Sequence, residues 1–270
     1  MLNHWFRGIG VALCVLAANT APAIAAADTN KLTADEIVQR VVNRANHVYK
    51  LNRQTNYAYQ KTSTTEELDG KGRVRTRKEK VLEFDSGIGT LKELKVNGEA
   101  VPDRELRKQE AQSAEDRQQI SRGRASRRDD NWGKYLTKEL TSRYTFELTG
   151  QEDIAGRPAY ILSFEPKSGK LPIKDVSDRL INRLAGKVWV DTREFEVAKA
   201  EIRLTEEVTM WGGVLGAMKK FAFDVERTRV DDVWFNRVSN FEMEGRKLFD
   251  SMRVRNRSEA GNFRKPVTFK

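Results

Sequence analysis

Tyr144-Thr-Phe-Glu-Leu-Thr149, then Ala155-Gly-Arg-Pro158, then Tyr160-Ile-Leu-Ser-Phe164 is the stretch that decides the fold. In its first arm Tyr144, Phe146 and Leu148 alternate with Thr145, Glu147 and Thr149, and in its second Tyr160, Leu162 and Phe164 repeat the pattern. A period of two puts the apolar side chains on one face of a strand and the polar ones on the other. The pattern runs on. Val188 to Val190 leads through Asp191-Thr-Arg-Glu194 into Val197 to Leu204, and Phe221, Phe223 and Val225 alternate again. After the turn signal Asp231-Asp232, Trp234 to Glu244 and Arg246 to Arg257 complete a meander of amphipathic strands. The eight residues Tyr144, Phe146, Leu148, Tyr160, Leu162, Phe164, Phe221 and Phe223 are expected to share one concave face, as the lining of a ligand cavity or as plain core.

Two breaks interrupt the meander. Pro172 to Leu184 carries Val176, Leu180, Ile181 and Leu184 at helical spacing and ends at Gly186, which predicts a helix. Thr209 to Ala217 is an apolar, glycine-rich loop, with Trp211 and Leu215 as candidates for a flap over a cavity; core closure is the equal alternative. A phosphate loop is not supported, because no Lys-Ser/Thr follows the Gly-Gly at the required spacing.

Upstream, Thr33-Ala-Asp-Glu36 is a capping box, and Ile37, Val38, Val41, Val42, Ala45 and Val48 form the apolar stripe of the helix that it opens. Asn56 to Leu68 and Arg73 to Phe84 read as strands joined at Asp69-Gly-Lys-Gly72. The second strand is basic. Arg73, Arg75 and Arg77 fall on one face, either a charged edge that blocks aggregation or a docking patch for an acidic partner. Leu91 to Val101 is a hairpin around Asn97-Gly98. Asp103 to Ser121 is helix-prone but polar nearly all round, and Arg122 to Asp130 reads as a flexible linker. Together residues 103–130 form a polar, partly flexible insertion between two sheet portions. Asn131 to Thr141 predicts a short second helix with Trp132, Tyr135, Leu136 and Leu140.

Residues 1–25 have the order of a secretory signal peptide: Arg7, an apolar run from Gly8 to Ala18, and Ala23-Ile24-Ala25 before the expected cleavage at Ala26, with Ala25-Ala26-Ala27 as the alternative site. The apolar run is about half the ~20 residues that a spanning helix needs. Cys14, the one cysteine, lies inside that run and would leave with it; Leu13 before it does not suit a lipoprotein anchor. The expected mature chain, residues 26–270, is a single periplasmic domain without disulfides. The formal net charge is +10; outside the cytoplasm the acidic partners on offer are anionic lipid, lipopolysaccharide phosphate and acidic protein rather than nucleic acid, and the equal alternative is that the basic residues only keep the surface soluble.

Catalytic signatures are missing. There is no H-E-x-x-H, no G-x-S-x-G and no metal-spaced cluster. His47, the one histidine past the signal segment, has no second histidine or cysteine to partner it. Carboxylates such as Asp191, Glu194, Glu206 and Glu207 are plentiful, but no spacing selects a glycosidase-like pair. The expectation is a non-enzymatic protein with no cofactor and no metal.

Tyr144 to Tyr160, Gly186-Lys-Val-Trp-Val-Asp191 and Phe195 to Leu204, set in the order signal peptide, capped helix, two hairpins and interrupted meander, resemble the LolA/LolB-like superfamily of bacterial envelope proteins. The resemblance implies an α+β, mainly antiparallel fold: a half-open, unclosed β-barrel with helices packed across the concave face. It also implies a soluble carrier of lipid or of a lipoprotein's acyl chain in outer-membrane biogenesis, with peripheral membrane contact allowed. The alternative is a sensor or adaptor that binds an envelope protein through the same barrel. The polar insertion departs from the superfamily pattern.

Overall fold

The first helix, α1 (Ala34–Leu51), starts where the capping box places it. In this computed structural model, which describes residues 32–51, 53–85, 90–123, 135–210, 216–247 and 250–265, the Thr33 amide donates to Glu36 Oε2 at 2.8 Å and the Glu36 amide to Thr33 Oγ1 at 3.2 Å. The two groups satisfy each other's orphan donors. Ile37, Val41, Val42 and Ala45 are the buried stripe.

Among the described residues twelve strands follow: β1 (Ala58–Leu68), β2 (Val74–Asp85), β3 (Thr90–Val96), β4 (Glu99–Ala100), β5 (Tyr144–Ile154), β6 (Arg157–Pro166), β7 (Leu184–Asp191), β8 (Val197–Leu204), β9 (Val208–Met210), β10 (Gly216–Val230), β11 (Val233–Lys247) and β12 (Asp250–Arg264). They make one antiparallel sheet in the order β4-β3-β2-β1-β12-β11-β10-β8-β7-β6-β5, with β9 beside β10. The two sheet portions expected from the sequence are thus continuous, joined where β1 pairs with β12. The ends, β4 and β5, do not pair, so the sheet is an unclosed half-barrel with α1 on one face. Two-residue turns set much of the register. Asn97 and Gly98 have φ of 52° and 85°, and Ala155 and Gly156 have φ of 52° and 80°. Both pairs are the left-handed conformations that a type I′ hairpin turn requires.

Two helices are shorter among the described residues than the sequence predicts. Between Pro172 and Leu184 only α4 (Val176–Ile181) is helical, capped by Asp175. Leu184 already opens β7 opposite Leu204, and Gly186 lies within that strand. A Cβ on Gly186 would stand 1.9 Å from the Glu201 carbonyl oxygen, so the glycine permits close strand approach rather than ending a helix. Of the helix expected over 131–141, the described residues 135–141 hold α3 (Lys138–Thr141), a single turn, with Thr137 Oγ1 accepting from the Leu140 amide at 3.1 Å. The expected loop over 209–217 is entered and left by paired strands, since Val208 to Met210 face Met218 to Gly216. Trp211 and Leu215 lie outside the described residues, as do the signal segment, Trp132, and residues 124–130 of the expected linker.

The polar helix is present as α2 (Asp103–Ser121), and it buries no side chain. Its half-buried positions, Leu106, Gln109, Ser113, Asp116 and Ile120, follow helical spacing. Gln109 does the docking. The Glu93 amide donates to Gln109 Oε1 at 2.8 Å, and Gln109 Nε2 donates to the Glu93 carbonyl at 3.2 Å. One carboxamide thereby imitates a neighbouring strand and covers part of the β3 edge. A Lys92–Glu110 ion pair at 2.7 Å stands beside it. The segment from β4 to β5 connects opposite edges of the sheet.

Candidate functional site

Side chains directly opposite one another in an antiparallel ladder share a face. The register therefore assigns the inner face, the one that carries α1. One row crosses the whole sheet: Leu148–Leu162–Val188–Ala200–Val225–Ser239–Ser258–Ser63–Lys80–Val96. Two residues along, a second row runs Phe146–Phe164–Gly186–Ile202–Phe223–Phe241–Asn256–Thr65–Lys78. A third holds Phe221–Met243–Val254–Glu67–Thr76. Tyr144 and Tyr160 fall on the same face by alternation along β5 and β6.

These residues divide into two groups by what covers them. Ile37 and Val41 of α1 pack on Leu162, Val190, Val197, Ala200 and Val225, with Leu148, Tyr160, Val188, Ile202 and Phe223 around them. Leu162 is 1 % exposed and is core. Tyr144 and Phe164 are buried in edge-to-face contact, ring centroids 5.3 Å apart. The Tyr144 hydroxyl donates to the Ile181 carbonyl at 2.5 Å, and burial pushes its pKa up to about 12. Phe146, Phe221 and Phe223 stay half-buried, as do Ile202, Phe241, Met243 and Val254. Phe221 and Phe241 pack edge to face at 5.6 Å.

An ionic cluster fixes α1 over the sheet. Asp191 is 0 % exposed; it accepts from Arg157 at 2.7 and 3.0 Å and from the amides of Arg193 and Glu194 at 3.0 and 2.8 Å. Burial pushes its carboxyl pKa up, but Arg157 and the two amides outweigh that and hold it below the usual range. Glu194 accepts from Arg229 at 2.7 Å and Trp234 Nε1 at 2.8 Å. Glu196 joins Arg44 of α1 at 3.1 Å to the buried Arg227 at 2.9 Å, and Arg40 of α1 lies over the Phe195 ring. Asp191 and Glu194 are thus engaged by arginines rather than held as a hydrolytic pair. His47 lines a cavity of about 320 Å³ beside Arg44, Arg229 and Trp234. Among the described residues, no group of three or more His, Cys, Asp or Glu side chains is placed to hold a metal ion.

The basic strand is divided by its register. Arg77 lies on the outer face opposite Glu66, 3.7 Å away as an ion pair, while Arg73 belongs to the hairpin turn and pairs with Asp69 at 2.8 Å. Arg75 sits at the irregularity between Val74 and Thr76. A shallow concavity of about 510 Å³ on the outer face is walled by Arg203, Lys220, Asp224, Glu242, Arg255 and Arg257. Its charges are cross-linked, Arg203 to Asp224 at 2.5 Å and Lys220 to Glu242 at 2.8 Å. The basic residues that share the apolar face are instead Lys78 and Lys80, which sequence reasoning missed. It also missed Ser63, Thr65, Ser239, Asn256 and Ser258.

No family model matches the sequence, and none of the curated proteins does. Solved structures do. A DUF1329 family protein from Desulfovibrio piger is 8% identical, with 86% of this chain and 95% of that chain covered and a TM-score of 0.31. A LolA superfamily protein from Nitrosomonas europaea is 11% identical, with 87% and 94% covered and a TM-score of 0.28. An outer membrane lipoprotein-sorting protein domain from Vibrio parahaemolyticus is 9% identical, with 86% and 95% covered and a TM-score of 0.28. The likeness is one of general form.

Proposed function

We propose that the protein is a non-catalytic periplasmic carrier that shelters an acyl chain, of a free lipid or of a lipoprotein, against the inner face of the half-barrel, in envelope and outer-membrane biogenesis. One observation carries this reading: the apolar rows continue from the core under α1 through Ile202 and Phe223 at its margin to Phe241, Phe221, Met243 and Val254, all of them only half-buried. A contiguous apolar surface of that kind marks a contact site. Each methylene withdrawn from water contributes about 0.8 kcal/mol, so a long chain supplies on the order of ten kcal/mol before ordering costs. No catalytic group is needed. Trp211 and Leu215 remain candidates for a flap over the chain, and the order Arg7, apolar run and Ala23-Ile24-Ala25 supports export. Protein isolated without detergent from a periplasmic extract should carry extractable lipid by mass spectrometry and begin at Ala26 or Asp28. Lipid-free protein that binds no acyl probe on titration contradicts the reading.

A second reading, an adaptor for an envelope protein, is favoured by the edge strand β5. Its 11 residues pair on one side only among the described strands, which leaves a row of backbone donors and acceptors for an added strand.

A further inference from the structure

The inner face changes polarity at a defined line. In the row through Leu162 the apolar side chains end at Val225 on β10, and Ser239, Ser258 and Ser63 follow before Lys80. In the row through Phe164 they end one strand later, at Phe241, and Asn256 and Thr65 follow before Lys78. In the third row they end later still, at Val254 on β12. The boundary therefore runs diagonally across β10, β11 and β12. Its polar side is organised. Asn256 Nδ2 donates to Ser63 Oγ at 2.9 Å and Thr65 Oγ1 at 2.8 Å, and the Ser258 hydroxyl, 5 % exposed as a residue, donates to Asn256 Oδ1 at 3.0 Å. Beyond this neutral belt stand the two lysines. Lys80 is ion-paired with Glu93, and Lys78 is exposed.

We propose that the ligand is an anionic glycerophospholipid-like amphiphile that lies across the strands, its acyl part on β8, β10 and β11 and its phosphate at Lys78 and Lys80. This rests on the carrier reading and names the chemistry of its ligand. The order of the rows gives the argument. A free fatty acid carries its charge at the end of the chain and would set a carboxylate among neutral hydroxyls. Lys78 stands three strands past Phe241 and Lys80 four strands past Val225, roughly 14–19 Å from backbone to backbone at the spacing of neighbouring strands. A ligand that meets both regions needs an uncharged, hydrogen-bonding linker between chain and anion, as a glycerol ester provides. Lys78 and Lys80 supply positive charge on the same face at that distance, whereas Arg77 points to the other face.

The test is displacement of a fluorescent acyl probe from the full mature chain at low salt by three competitors of equal chain length: lysophosphatidylglycerol, lysophosphatidylcholine and the free fatty acid. The anionic lysophospholipid should bind about fivefold more tightly than the zwitterionic one, the scale of one partly exposed charge contact. Lys78→Glu should abolish that preference; thermal unfolding checks that the variant is folded. Equal affinities for the two lysophospholipids, or a preference that survives Lys78→Glu, overturns the head-group assignment and leaves the carrier reading standing. If none of the three competitors binds, both fall.

Discussion

Leu162 and Phe223 lie on one face, three strands and one register row apart in the half-barrel, yet their removal should have opposite consequences. Leu162 is 1 % exposed and enclosed by Ile37, Val41, Val190 and Ala200, so Leu162→Ala leaves a cavity that α1 cannot collapse into. Such truncations cost about 2–5 kcal/mol. Phe223 is half-buried, and its truncation forfeits about half the transfer free energy of a fully buried ring, roughly 1 kcal/mol. Urea unfolding should separate them, with the midpoint of Leu162→Ala falling by about 1 M or more. Binding should reverse the order. Under conditions where both are folded, Phe223→Ala should weaken a fluorescent acyl probe about fivefold, while Leu162→Ala stays within about twofold of the parent. If Leu162→Ala costs less than about 1 kcal/mol and shifts probe affinity, the division of the inner face into core and ligand wall is wrong.

Two further predictions concern what holds the face in shape. Arg157→Met leaves the buried Asp191 carboxylate without its guanidinium and should cost about 3 kcal/mol or more at pH 7. The Asp191 carboxyl is depressed in the folded state, so its contribution is present above the unfolded pKa and is lost as pH falls through the folded one. The gap between parent and variant should therefore narrow under acid; a gap that is flat with pH refutes the assignment. Gln109→Leu removes the carboxamide that covers the Glu93 amide and carbonyl and should cost about 1 kcal/mol. Hydrogen exchange at Glu93 should accelerate; unchanged protection there means that α2 is not what shields this edge.

What was legible in the sequence was local. The Thr33–Glu36 box, the Asn97-Gly98 and Ala155-Gly156 turns and the alternation from Tyr144 to Phe164 each involve residues close in the chain, and all form as read. The apolar residues around Leu184 mimic a helical stripe, but Leu184 serves a strand, because pairing with Leu204 outweighs local spacing. The polar half of the inner face was hidden for two reasons. Along β12, Asn256 and Ser258 alternate with Arg255 and Arg257, so both faces are polar and no period of two shows. The register also departs from simple counting. Val230 faces Val233 across the turn, which by counting would set Val225 opposite Val238; an irregularity between Glu226 and Arg227 sets it opposite Ser239 and brings Phe241 to Phe223. A one-residue slip exchanges the two faces of a strand. The placement of Arg77 outside and Lys78 inside has the same origin, since only the pairing with β1 assigns the faces of a strand that is basic on both.

The claim that the inner face is the binding surface is tested most directly by photo-cross-linking. A fatty acid with a photoactivatable group near its methyl end would be bound to the mature chain, irradiated, and the labelled peptides mapped by mass spectrometry. Labels should concentrate at Ile202, Phe221, Phe223, Phe241 and Met243 and be competed away by unlabelled lipid. Labels confined to outer-face positions such as Ala222 and Glu242, or labelling that unlabelled lipid does not compete, would contradict it.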